Sequence, residues 1–184
     1  MKAKLHLKEN VTYKVLDKGG NPKKIFKENL LWKIVHKLFK LDIQIPYLFG
    51  SWVDKKTLAN LVTTAGKAAI AALINGSGAG AAFTYLAVGT GTTAAADANT
   101  TLESEITDSG LARAAATCSR VTTDVTNDTA QLLKSWTVSG TKAVTECGAL
   151  NADASGTLLG RQVFSAINVV SGDTLQITYK FDVD

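Results

Sequence analysis

Proline is almost missing from this sequence: Pro22 and Pro46 are the only two in 184 residues. With fifteen glycines that follow no three-residue period, this excludes collagen-like and low-complexity disordered chains. Cysteine is also scarce. Cys118 and Cys147 are too few for a disulfide framework and lack the close spacing of a zinc site, so both are expected as reduced, mostly packed thiols. No stretch approaches ~18 uninterrupted apolar residues, so no membrane-spanning helix is expected. The basic start, MKAKLHLKEN, lacks the sustained apolar segment and cleavage site of an export signal. Aromatic residues make up 7% of the chain against 46% apolar, which predicts a core of small and branched side chains in one domain, or one domain with an appendage.

Charge is unevenly placed. Residues 1–56 hold thirteen lysines, no arginine and five acidic groups, a net +8. Residues 57–184 hold seven basic and eleven acidic groups, a net −4, and contain all three arginines, Arg113, Arg120 and Arg161. This asymmetry places a boundary near Asp54, between a basic N-terminal docking region (1–56) and a helix-plus-β module (57–184) expected to fold without it. A solvated face or an acidic protein partner accounts for the lysines as well as nucleic acid does, and the missing arginines count against base recognition.

Along the chain, residues 11–16 alternate weakly and lead into the turn-rich Asp17-Lys18-Gly19-Gly20-Asn21-Pro22. With residues 23–28 this reads as a small hairpin. Leu30, Leu31, Ile34, Val35, Leu38 and Leu41 then recur at helical spacing, with Lys33, Lys37 and Lys40 opposite and Asn29 placed to cap. This basic amphipathic helix can cover its own core, meet another subunit or lie on a membrane, the last disfavoured by its short apolar face. Residues 43–53 are extended and aromatic. Tyr47, Phe49 and Trp52 read as a core crossing or, with Trp32, as interface anchors. Asp54 would cap a second helix over 55–75, ended by Asn75-Gly76. From 82 onward about six strands are expected: 82–88, 111–124, 129–139, 142–150, 157–168 and 175–183. The last has a clean period of two. The sum is a mainly β protein with α: an antiparallel sandwich preceded by a hairpin and two helices.

The stretch at 81–106 organises the rest. A β-prone run stops at Gly89-Thr90-Gly91, and a small-residue loop leads to Leu102, Glu105 and Ile106. Without a third glycine or a lysine in place this is not a phosphate cradle, so Gly89 and Gly91 are expected to let a core strand leave its sheet at a tight corner. No nucleophile, metal or acid/base constellation emerges, so no catalytic residue, metal or cofactor is expected. The histidines His6 and His36 belong to no motif, and Glu103 and Glu105 point apart if extended. Glu105 is instead expected to pair with Arg113 or Arg161. Glu146, within an apolar strand, needs a partner of its own.

The ordered features of 58–184 carry a resemblance. They are Asn60-Leu61-Val62 with Gly66-Lys67, the alanine-rich helix, the strand ending in Gly89-Thr90-Gly91-Thr92, Leu102-x-x-Glu105-Ile106 with Arg113, Val144 to Leu150, Arg161, Phe164, and Ser171 to Leu175. Together they are similar to small virion proteins of tailed bacteriophages, of the tail, collar, fibre or capsid-surface type. Ala149 departs from the larger apolar residue usual there, and residues 1–56 are not covered. The resemblance implies a non-enzymatic structural subunit of a virion, a homo-oligomer contacting other virion proteins. A receptor- or carbohydrate-binding module of a fibre is the alternative, favoured if Trp136 or Tyr85 faces solvent.

Overall fold

The computed structural model describes residues 7–39, 44–45, 47–48, 50–78 and 80–183. These form, in order, β1 (Leu7–Leu16), β2 (Ile25–Glu28), α1 (Leu30–Phe39), β3 (Gly50–Val53), β4 (Lys56–Ala59), β5 (Leu61–Val62), α2 (Thr64–Asn75), β6 (Tyr85–Gly89), β7 (Ala114–Ala115), β8 (Thr117–Val121), β9 (Thr129–Thr137), β10 (Lys142–Leu150), β11 (Leu158–Val169) and β12 (Thr174–Val183). One antiparallel sheet has the order β4-β1-β12-β9-β8 and the other β5-β11-β10-β6-β7, with β2 and β3 as a separate pair. The alternating residues Leu175, Ile177, Tyr179 and Phe181 of β12 pack with Val144, Cys147, Ile167 and Val169 of the second sheet in one shared core. This is an antiparallel sandwich, as the turn-separated strand pattern predicts.

The N-terminal segment corrects the sequence reading. The turn at 17–22 forms, with Asp17 Oδ1 accepting from the Gly19 and Asn21 amides at 2.8 and 2.9 Å. No hairpin extends from it beyond an isolated bridge between Leu16 and Pro22. β1 instead pairs with β12 along its whole length, Leu7 opposite Val183 to Leu16 opposite Thr174, and β2 pairs with β3. Apolar burial decides the pairing. Val11, Tyr13 and Val15 are 0, 1 and 2% exposed, deep in the core, where a short isolated hairpin would bury little. The boundary expected near Asp54 therefore does not separate two packing units, because β1 lies between β4 and β12 inside the module's sheet.

The second helix is also shorter than its pattern, while Lys40 and Leu41 of the first lie outside the described residues. α1 begins where expected, with Asn29 Oδ1 accepting from the Trp32 amide at 3.0 Å. α2 starts at Thr64, not at 55, because residues 56–59 and 61–62 are drawn into sheet edges. Its cap is Thr63, not Asp54: Thr63 Oγ1 accepts from the Gly66 amide at 2.9 Å and donates to the Leu158 carbonyl at 2.6 Å. Gly66 seats the helix on β11, since a Cβ there would stand 2.3 Å from the Leu159 carbonyl oxygen.

Residues 111–124 do not form one strand. They give two short ones, β7 and β8, which belong to opposite sheets on either side of Ala116. Cys147 is buried and Cys118 exposed, and the two thiols are unbridged.

Candidate functional site

β10 is buried without a break from Val144 to Leu150, although its residues alternate between two faces of the sheet. One face belongs to the sandwich core. The other is covered by the segment leaving β6, whose Leu102 packs with Ala87, Leu150 and Leu158 in a second small cluster. Under this cover lies Glu146, fully buried, beside Arg161, which is 1% exposed. Arg161 Nε donates to Glu146 Oε2 at 2.7 Å, while its Nη1 reaches Asn99 Oδ1 and its Nη2 Glu103 Oε2, each at 3.2 Å. The Glu146 carboxylate also accepts from the backbone amides of Gly91, Glu103 and Ser104, at 3.0, 3.1 and 2.7 Å. One carboxylate thus fastens both ends of the 91–104 loop.

Gly89 and Gly91 serve this arrangement through space rather than through unusual backbone angles. A Cβ on either would stand 2.4 or 2.5 Å from Glu146 Oε1, and neither glycine has a positive φ. β6 ends at Gly89, and both glycines leave room for the buried carboxylate that lies against the chain. Glu105 forms the paired contact expected with Arg113 and not with Arg161. Arg113 Nε and Nη2 grip its two oxygens at 2.9 and 2.6 Å, and Arg113 Nη1 donates to the Ala152 and Ser155 carbonyls. Four donors converge on Glu146, which leaves it no free lone pair facing solvent for acid/base work. The arrangement is a clamp. Sequence reasoning weighed Glu103 only as half of a carboxylate pair, and missed Asn99 and Thr93, the latter bonding the Glu103 carboxylate through both amide and hydroxyl. Nothing local marks them.

No family model, no curated protein and no solved structure matches this chain.

The candidate anchors lie elsewhere. Trp32 is half-buried on α1 and stacks on His36, with ring centroids 4.6 Å apart. Tyr47 is 99% exposed with φ 66° and Trp52 is 46% exposed, so these two do not form the expected core crossing. The Tyr47 amide closes a tight turn on the Gly50 carbonyl, which turns the ring outward. Phe49, like His6, lies outside the described residues. Among the described residues no helix is long and apolar enough to cross a membrane, and no group of three metal-ligating side chains gathers.

Among the carboxyls held below their usual range outside the clamp are Glu28 and Asp128. Burial of Glu28 works to raise its pKa, but hydrogen bonds from Lys56 and Ser165 outweigh it and hold the carboxyl below its usual range. Asp128 is held well below that range by the Val125 amide first, then by the Thr123 and Asp124 amides, within the turn joining β8 and β9. A depressed folded-state pKa gives stability that is present above the unfolded value and lost as pH falls through the folded one. The melting temperature should therefore fall as pH drops below about 4 and change little between pH 6 and 8, as scanning fluorimetry would record.

Proposed function

We propose that the protein is a non-enzymatic structural subunit of a tailed-phage virion, a homo-oligomer that assembles through contacts with other virion proteins. The motif order over 58–184 suggests the setting. One observation carries the assembly reading: α1 turns apolar side chains outward. Leu30, Leu31, Ile34 and Leu38, all on one side of the helix, are 43–74% exposed. The lysines Lys33 and Lys37 on the same helix supply long-range attraction, while the apolar side chains and Trp32 supply retention. Trp136 gives no support to the glycan-binding alternative, being 3% exposed with Nε1 donating to the Ala112 carbonyl at 2.8 Å.

Particles purified on density gradients from an infected culture should contain the chain in fixed stoichiometry. Replacing Lys33 and Lys37 with glutamine should slow its incorporation, and Trp32→Ala should speed its loss from finished particles. Absence of the parent chain from purified particles would overturn the reading.

A further inference from the structure

The two edges of the first sheet carry apolar surfaces of opposite charge. At the β4 edge stands α1, whose Trp32 and Lys33 face Lys56, Thr57 and Leu58 across an open cleft of about 460 Å³. The side of the helix turned away from this cleft holds the exposed Leu30, Leu31, Ile34 and Leu38. Leu31, Ile34, Val35 and Leu38 fall at i, i+3, i+4 and i+7, the corners of the hollow that receives a knob on a helix. Lys33 and Lys37 border the stripe on its Leu30 side, and neither has an acidic partner among the described residues. At the other edge, the turn joining β8 to β9 is acidic and tightly bonded. The Asp128 carboxylate accepts from the Thr123, Asp124 and Val125 amides at 2.9, 2.8 and 2.6 Å, and from Thr129 Oγ1 at 3.0 Å. This turn holds Val125 out to water, 69% exposed. Beside it lies Val183, 47% exposed, whose amide donates to the Asp128 carbonyl at 3.2 Å. Residues 121–130 contain Asp124 and Asp128 and no lysine or arginine. β4 and β8 stand four strand spacings apart, about 19 Å, so the two surfaces do not meet within one chain.

We propose that these surfaces are the two halves of one contact between copies of this chain. The β8–β9 turn of one copy seats Val125 in the α1 hollow of the next, and the contact repeats head to tail. Asp124 and Asp128 face Lys33 and Lys37 across it, which orients the encounter, while burial of Val125 and Val183 against the leucines holds the copies together. The turn is already fixed by its own hydrogen bonds, so docking orders little of it. A two-fold contact of α1 with its own image is disfavoured, because it sets Lys33 and Lys37 against the same two lysines. The halves differ and lie on opposite edges, so each contact leaves one half of either copy unused, and growth continues until a ring closes. This inference rests on the homo-oligomer of the assembly reading above, and names the surfaces that build it.

Sedimentation of the full chain over a concentration series tests this. The parent should associate beyond a dimer as concentration rises. Ile34→Glu, which spoils the hollow, and Val125→Asp, which spoils the knob, should each weaken self-association at least ~30-fold, the loss that follows removal of a central apolar anchor. Both positions are exposed, so each variant's near-ultraviolet circular dichroism should match the parent's. Mixed in equal amounts, the two variants should form a heterodimer that grows no further, because Ile34→Glu keeps its turn and Val125→Asp keeps its hollow. A parent that stays monomeric, or a mixture that does, would overturn the proposal. So would undiminished association of Val125→Asp, which points to α1 meeting its own image. A monomeric parent that floats with phosphatidylcholine vesicles containing phosphatidylserine would reassign α1 to a lipid surface. If the variants behave otherwise than expected while particles contain the chain, the contact fails and the virion reading stands. If the mixed variants dimerise while particles lack the chain, the contact stands and the virion reading fails.

Discussion

Glu146→Ala should be the most damaging single substitution in the chain. It strips the partner from Arg161 and removes the acceptor from three backbone amides, all beneath the 91–104 loop. Breaking a buried ion pair from one side costs about 3–5 kcal/mol, because the remaining charge stays buried without compensation. Set against a total stability of about 5–15 kcal/mol for a domain of this kind, that loss brings the folded state close to its limit. Urea denaturation should show a large drop in midpoint with an unchanged slope. A double variant, Glu146→Met with Arg161→Met, separates stability from loop order. It should recover much of the lost stability, since apolar replacements of similar volume remove both desolvation penalties. It should still leave the Gly91, Glu103 and Ser104 amides exchanging faster with solvent, because their acceptor is gone. If those amides remain as protected as in the parent, the clamp does not hold the loop.

Deleting residues 1–53 should leave a fragment without a cooperative unfolding transition. The deletion removes β1 and with it the buried Val11, Tyr13 and Val15. At about 1.5–3 kcal/mol for each large apolar side chain taken from water, the loss rivals the whole stability of the domain. It also opens the edge of β12 along the ten positions that β1 covered, a template for aggregation. The fragment should keep far-ultraviolet β signal while losing near-ultraviolet signal, and should bind hydrophobic dyes. A synthetic peptide spanning residues 7–16, added in trans, should restore part of the lost signal. A fragment that melts cooperatively at the parent's temperature would show that the sandwich is complete without β1.

That second result runs against the plainest feature of the sequence, its split between a basic and an acidic part. The reason is physical. Charge composition reports on solvent and partners, whereas strand partners are chosen by buried apolar area and backbone pairing, which ignore net charge. The weak alternation at 11–16 next to a dense turn pointed to a local hairpin because local pairs are all that a sequence window contains. The strand that claims β1 lies more than 150 positions away.

Where the signal is periodic or chemically obligatory, the residues themselves determined the outcome. The period of two from Leu175 to Phe181 set β12 as a core strand, and the turn-separated strands that follow residue 82 set an antiparallel sandwich. A glutamate inside an apolar strand had to find a cation, and Glu146 has Arg161. That Glu105 would find an arginine was likewise readable; that it is Arg113 and not Arg161 was not. Only the tertiary structure decided that Gly89 and Gly91 are small to make room for a carboxylate, that Asn99 and Glu103 close the clamp, and that Thr63 rather than Asp54 caps α2. It also decided that α1 turns Trp32 toward a cleft while leaving its leucines in water. Each of these depends on which surfaces meet across the fold, and a side chain's local sequence holds no record of what will be packed against it.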